Sequence, residues 1–272
     1  MDYPVANLAL AQRLERAEGI ANASFVEARR LIHPDVGAEW INVAGVYAMF
    51  DGATSLTTQT FGLGVFDPFS ASDLDQLEDF FFCRGTATFH EISSFAAPTV
   101  LSLISARGYS PVEASAVLVR PVMPLPDSSS EVAVRVVDNS EITLWSRIAA
   151  EGWGSESPEL GTFISQVGQV LSRARGVYCF LAELEGRPIA AAALNVGIGI
   201  ALLAGACTIP DARRRGAQQA LLRSRLQFAA QHDLDLAMVV TQPGSASQRN
   251  AQRHCFRPMY TRSKWQLSHG GA

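Results

Sequence analysis

The sequence predicts an α/β protein folded in two halves. Three observations carry that reading. Runs with apolar residues at helical spacing alternate along the chain with short apolar or β-branched runs. The stretch 121–130 holds Pro121, Pro124 and Pro126 with Ser128, Ser129 and Ser130, and it can continue neither a helix nor a central strand. Beyond it the alternation starts afresh.

Residues 8–31 predict a helix, 41–49 and 59–65 predict strands, and Ser70 or Ser72 opens a helix over 71–84. A strand at 86–92, a helix at 96–107 ended by Gly108, and a strand at 112–119 complete the first half. The second half opens on a strand at 132–137. Asp138, Asn139 and Ser140 with Glu141 then cap an amphipathic helix at 142–151. The apolar run 198–207 predicts a buried strand, stopped by the turn Pro210-Asp211. Arg213, Arg214 and Arg215 lead into Gly216, and a helix follows over 218–231. A strand at 234–241, the turn Gln242-Pro243-Gly244, a helix at 245–254 and an end strand at 259–265 close the chain. The expected domains are 1–121 and 131–272.

Composition narrows the function. With 272 residues, 48% of them hydrophobic and 18% charged, two cores can be buried and disorder is excluded. No apolar run reaches the ~20 residues needed to span a bilayer, and Met1-Asp2-Tyr3-Pro4 lacks the basic-then-apolar order of a secretion signal. Cys83, Cys179, Cys207 and Cys255 stand apart, and His33, His90, His232, His254 and His269 show no ligand spacing, so neither a disulfide framework nor a metal is expected. A reduced cytoplasm is the simplest setting. The net charge of −4 argues against a nucleic-acid partner.

The cluster Arg213-Arg214-Arg215-Gly216 is where the chemistry concentrates. A strand, a basic glycine turn and a helix form an anion cradle: glycine lets the backbone approach a ligand, and the first-turn amides have no partner within the helix. The helix dipole favours negative charge there as well. A pyrophosphate is a natural guest.

The pattern Arg213-x-x-Gly216-x-Gln218 resembles the pyrophosphate loop of the GNAT superfamily of N-acetyltransferases, Gln/Arg-x-x-Gly-x-Gly/Ala, with Gln218 in place of a small residue. The strand, turn and helix over 234–254, Phe256 and the end strand are similar to the elements that follow in that family, so the resemblance covers about 132–265. It implies two GNAT-like halves, each with a mixed, mostly antiparallel central sheet flanked by helices. The first half shows no arginine near its own turn, Leu63-Gly64-Val65-Phe66-Asp67-Pro68-Phe69, and reads as a degenerate copy without a cofactor, the alternative being an unrelated α/β domain.

The resemblance further implies acetyl-CoA as cosubstrate, no metal, and direct attack of an amine on the thioester in a ternary complex. Cofactor contacts would come from Cys207, Thr208, Ile209, Arg214, Arg215, Gly216, Ala217, Gln218, Gln219, Asn250 and Arg253. The family's strand glutamate has no counterpart in 198–208, so the general base would be a water or a residue of the acidic stretch Glu151, Glu156 and Glu159. Glu91 beside His90 is another carboxylate that could line a cleft. The family's tyrosine falls on Ala251 and its glycine on Cys255, which leaves Tyr260 as proton donor, or as an ordinary core aromatic, and Asn250 as a hydrogen-bonding partner. Cys207 reads as a small buried residue rather than a nucleophile.

The acceptor would be a primary amine on a small molecule, possible classes being amino sugars of the aminoglycoside or kasugamycin type, amino acids and polyamines. A monomer or homodimer is expected, with no membrane partner. The rival from another class is a CoA-binding sensor that transfers nothing.

Overall fold

The computed structural model describes residues 2–126, 130–155 and 158–267. In chain order its elements are α1 (Leu8–Ile32), β1 (Glu39–Val43), β2 (Val46–Phe50), β3 (Gln59–Phe61), α2 (Ala71–Phe82), β4 (Thr88–Ser93), α3 (Pro98–Ala106) and β5 (Ser110–Pro121). There follow β6 (Val132–Val136), α4 (Ile142–Gly154), α5 (Pro158–Leu171), β7 (Val177–Leu184), β8 (Arg187–Gly197) and β9 (Ile200–Thr208). The chain closes with α6 (Ala217–Gln231), β10 (Leu236–Thr241), α7 (Ala246–Arg253) and β11 (Arg257–Leu267).

Two compact units emerge, but they are not consecutive halves. One holds the chain up to Arg120 together with everything from Val239 onward, and the other holds Pro121–Met238. The sequence reading had grouped 131–272. The difference lies in β11, which pairs antiparallel with both β4 and β5 of the first unit. Register explains why. Arg262 stands opposite Ser93 on β4 and Ser115 on β5, while Lys264 stands opposite Glu91 and Glu113. Opposed residues share a face of the sheet, so Lys264 meets carboxylates carried by both neighbouring strands, while Arg262 stands between two serines and bonds Glu15 and Glu18 of α1. On the same strand Trp265 and Leu267 pack against the first unit's apolar core.

Within the first unit the strand order is β1-β2-β3-β4-β11-β5, antiparallel throughout except for β3 beside β4. Within the second it is β10-β9-β8-β7-β6, antiparallel except for β10 beside β9. Both sheets are therefore mixed and mostly antiparallel with flanking helices, as the resemblance implied. β3 ends four residues short of the expected strand, because Gly62 (φ 79°) and Gly64 (φ 70°) turn the backbone left-handed.

In the first unit α2 and α3 bury Leu74, Leu77, Phe81, Val100 and Ile104 against Ala48, Leu63 and Ile92. A polar thread crosses this core: the His90 ring bonds Thr60 Oγ1 at 2.8 Å and the Tyr109 hydroxyl at 3.0 Å, and Tyr109 donates to Glu78. Burial pushes His90 down to about 3, so its ring stays neutral. Glu91, next along β4, points to the opposite face. There burial raises its carboxyl to about 6.

In the second unit α4 and α6 both pack on the sheet. The sequence reading ended the first helix at 151 and placed Glu151, Glu156 and Glu159 in a loop. α4 instead runs on to Gly154 and α5 begins at Pro158, so Glu151 is helical. Glu159 falls within α5, and Glu156 lies outside the described residues. Gly152 allows α4 to approach β9. A Cβ built there would stand 2.6 Å from Cys207 Sγ and 2.9 Å from its Cβ.

Two tests of this packing follow. Gly152→Ala should destabilise the protein by about 1–3 kcal/mol, with part of the loss recovered by adding Cys207→Ala, as read by denaturant unfolding. The second concerns pH. Between its ordinary 4.5 and about 6 Glu91 is protonated in the folded state only, so its contribution is fullest below 4.5 and is lost as pH rises through 6. Glu91→Gln should therefore raise the melting temperature at pH 8 and leave it little changed below pH 4.5. His90 acts in the opposite sense. The unfolded ring takes a proton below 6.5 that the folded ring refuses until about 3, so stability from this group falls with acidification.

Candidate functional site

The turn from β9 into α6 is built to expose backbone donors. β9 ends at Thr208, the Ile209 amide donates to Ile189 O at 3.0 Å, and a single 3-10 turn spans Pro210–Ala212. Arg214 then adopts φ 64° and Gly216 φ 84°. A left-handed arginine is strained, and such strain gathers at ligand-binding turns. Gly216 is the N-cap of α6, with no side-chain cap bond and no acidic residue in the first turn. The opening amides of α6 therefore meet no competing side chain, and a Cβ at Gly216 would touch nothing within 4 Å.

The neighbouring side chains hold this turn in shape. Arg213 Nη2 donates to Ser155 Oγ at 2.6 Å, tying the turn to the end of α4. Gln218 folds back, its Nε2 donating to Thr208 Oγ1 at 2.9 Å. That closes the base of the turn and keeps the bulky residue out of the approach to the amides. Arg214, Arg215 and Gln219 are exposed, whereas Cys207, Ile209 and Ala217 are buried and would offer backbone only. Cys207 Sγ lies 3.6 Å from Ala149 O under the α4 backbone, away from solvent.

Upstream, β9 is broken in two ways. Its parallel ladder with β10 runs only from Ile200↔Leu236 to Leu202↔Met238 among the described pairings. Its register with β8 then shifts between Ala191 and Ala193, where Gly205 takes φ 59°. This is a bulge with a left-handed glycine, which re-aims backbone groups out of the sheet. Arg225, on the buried face of α6, donates to Ala193 O at 3.1 Å and Ala204 O at 3.3 Å beside the bulge. Burial pulls its guanidinium down to about 10. The sequence reading missed Arg225; its signal was a charge among Leu221, Leu222 and Leu226 on an otherwise apolar helix face.

The equivalent turn of the first unit is closed. A Cβ on Gly62 would stand 2.3 Å from Phe66 Cε2, so the Phe66 ring fills the space over the turn. At the start of α2, Ser70 Oγ accepts from the Asp73 amide and the Asp73 carboxylate accepts from the Ser70 amide at 2.8 Å. The Ser70 hydroxyl also donates to the Asp73 carboxylate at 2.6 Å; that bond first, and the Ser70 amide second, hold Asp73 below its ordinary range and place a negative charge where an anion would sit.

The remaining candidates fall elsewhere. Glu151 is exposed on α4. Asn250 is half-buried on α7, its carbonyl accepting from His254 Nδ1 at 2.9 Å, and Arg253 is exposed at the end of that helix. Both α7 residues, like Tyr260, belong to the first unit. Tyr260 is buried, donates its hydroxyl to Glu15 Oε1 at 2.8 Å, and has its ionisation pushed well up by burial. That is the environment of a core tyrosine and a poor one for a proton donor. Among the described residues no three His, Cys, Asp or Glu side chains gather as a metal site, and no helix is long and apolar enough to cross a membrane.

No family model matches the chain, and no curated protein matches it. Solved structures do. A GCN5-related N-acetyltransferase from Kribbella flavida superposes on 92% of this chain and 96% of its own, with a TM-score of 0.65 and 17% identity. One from Sphaerobacter thermophilus covers 86% and 77%, with a TM-score of 0.56 and 14% identity. A tandem GNAT protein from the clavulanic acid biosynthesis pathway covers 74% and 69%, with a TM-score of 0.55 and 12% identity. At these identities the likeness establishes the fold: the chain has the GNAT acetyltransferase architecture.

One open turn and one closed turn predict a stoichiometry. Titration calorimetry with coenzyme A should give one site per chain, and a value of two would show that the Phe66 turn opens.

Proposed function

We propose that the chain is an acetyl-CoA-dependent N-acetyltransferase that acetylates a primary amine of a small molecule by direct attack in a ternary complex. The observation that carries this is the uncapped N-terminus of α6 behind the left-handed turn Arg214–Gly216. Backbone amides from Arg214 to Gln219 would hold the pyrophosphate, and Arg214 and Arg215 would add exposed positive charge. The broken edge of β9 would receive the pantetheine arm, and an amide near the Gly205 bulge would polarise the thioester carbonyl. In the first unit, read as a degenerate copy of the same fold, the closed turn would bind no cofactor.

Only a neutral amine can attack, so the acceptor must lose a proton before transfer. Glu151 is the exposed carboxylate of α4 that could take it through a water. The departing thiolate would take its proton from solvent, since the Tyr260 hydroxyl is committed to Glu15. An amino sugar is the acceptor class we favour.

The same commitment of Tyr260, with no carboxylate along β9, favours a second reading: a CoA-binding sensor without transfer. Two measurements separate them. Gly216→Glu places a negative charge among the α6 amides and should abolish acetyl-CoA binding in calorimetry; unchanged affinity would overturn the cofactor assignment. Thiol release with a panel of amines should be detectable in the wild type and should rise with pH as the bound amine deprotonates. Tight binding with no release from any amine would favour the sensor.

A further inference from the structure

One face of the first unit's sheet carries ionisable side chains the acetyl-transfer chemistry does not use. Glu91 on β4, Lys264 on β11 and Glu113 on β5 stand in register across three strands. Two residues along β11, on the same face, Arg262 donates Nε to Glu15 Oε1 of α1 at 2.7 Å and Nη1 to Glu18 Oε2. Four carboxylates thus face two cations, a formal excess of two negative charges. Exposure grades inward, from Glu113 (41%) through Lys264 (18%) and Glu91 (11%) to Arg262 (1%) and Glu15 (0%). The row is open at Glu113 and closed beneath α1.

The deep end is not satisfied by the protein. Glu15 Oε2, Glu91 Oε2, Arg262 Nη2 and Ser115 Oγ are all buried without a hydrogen-bond partner. A buried polar group left without a hydrogen bond keeps the whole cost of its lost hydration. Lys264 Nζ does not relieve Glu91, lying 3.7 Å from its other oxygen and 3.5 Å from Glu113. What is missing is a donor with positive charge beside Glu91 and Glu15, and an acceptor beside Arg262 and Ser115.

We infer that this face binds a small molecule carrying a primary ammonium next to a hydroxyl or ether oxygen. The ammonium would bond the open oxygens of Glu91 and Glu15, and the neighbouring oxygen would accept from Arg262 Nη2 and the Ser115 hydroxyl. The inference goes beyond acetyl transfer and deepens it, since such a compound is also a fitting acceptor; binding itself requires no cosubstrate, so the two can fail separately.

Calorimetry on the full chain without acetyl-CoA tests it, using ethanolamine and glucosamine as probes and ethylene glycol and glucose as uncharged controls. The probes should bind and the controls should not. Glu91→Gln should weaken both probes roughly tenfold or more, as expected for a lost charge-assisted bond. Ser115→Ala should weaken ethanolamine but leave ethylamine, which has no oxygen, unchanged. Circular dichroism and melting curves check that both variants fold. Absence of heat from either probe in the wild type, or equal affinity in Glu91→Gln, would overturn the site and leave ordered water as the partner of these atoms. A wild type that binds the probes but never releases CoA would keep this site and remove the transferase reading.

Discussion

Glu15 is buried in the middle of α1, and two of its bonds reach almost the whole length of the chain. Tyr260 and Arg262, 245 and 247 residues away in sequence, both donate to its Oε1. A carboxylate buried in a low-dielectric interior is expensive unless it is paired and hydrogen-bonded. Here desolvation pushes Glu15 up, and the Arg262 guanidinium is the main influence drawing it back. The pair helps hold β11 between β4 and β5, and that insertion brings the chain from Val239 onward into the first unit. Removing Arg262 would leave the buried Glu15 carboxylate with the Tyr260 hydroxyl alone, so α1 and β11 hold each other in place.

The two turns after β3 and β9 show how few residues separate a helix start capped by side chains from an uncapped one. Both follow a strand, both contain left-handed residues, and both precede a helix. In one, Ser70 and Asp73 satisfy the helix start from within and Phe66 fills the space above the glycines. In the other, Gly216 supplies no cap, Gln218 is drawn back to Thr208, and the nearest charges are positive. The physics of the helix end is the same in both. Whether its amides are met by a side chain or left for a ligand is the difference.

Buried charge is distributed unequally between the units. The second holds Arg225, whose guanidinium is spent on backbone carbonyls next to the β9 bulge. The first holds a cluster around Arg262 with more carboxylates than cations and several atoms left open. The two suit different ends: a cation bonded to carbonyls at a strand break steadies a backbone shape, whereas an excess of carboxylates lowers the local potential.

By itself the sequence merged β1 and β2 into one strand and left α5, β7 and β8 unread, but it determined most of the helices and strands it named, the break near Pro121–Ser130, and the basic glycine turn at 213–219 with no such arginines in the first half. Those features are local: apolar period, proline and glycine punctuation, and charge next to a helix start are written in consecutive residues. Tertiary structure decided the rest. That Val239 onward joins the first unit depends on strand register, which no stretch of β11 reveals without β4 and β5 beside it. That Tyr260 is a core residue rather than an exposed acid depends on Glu15, far away in sequence. Arg225 gains its meaning from burial against backbone carbonyls, and Glu91 and Ser115 from buried atoms without a partner, because desolvation is a property of the packed neighbourhood and not of the residue.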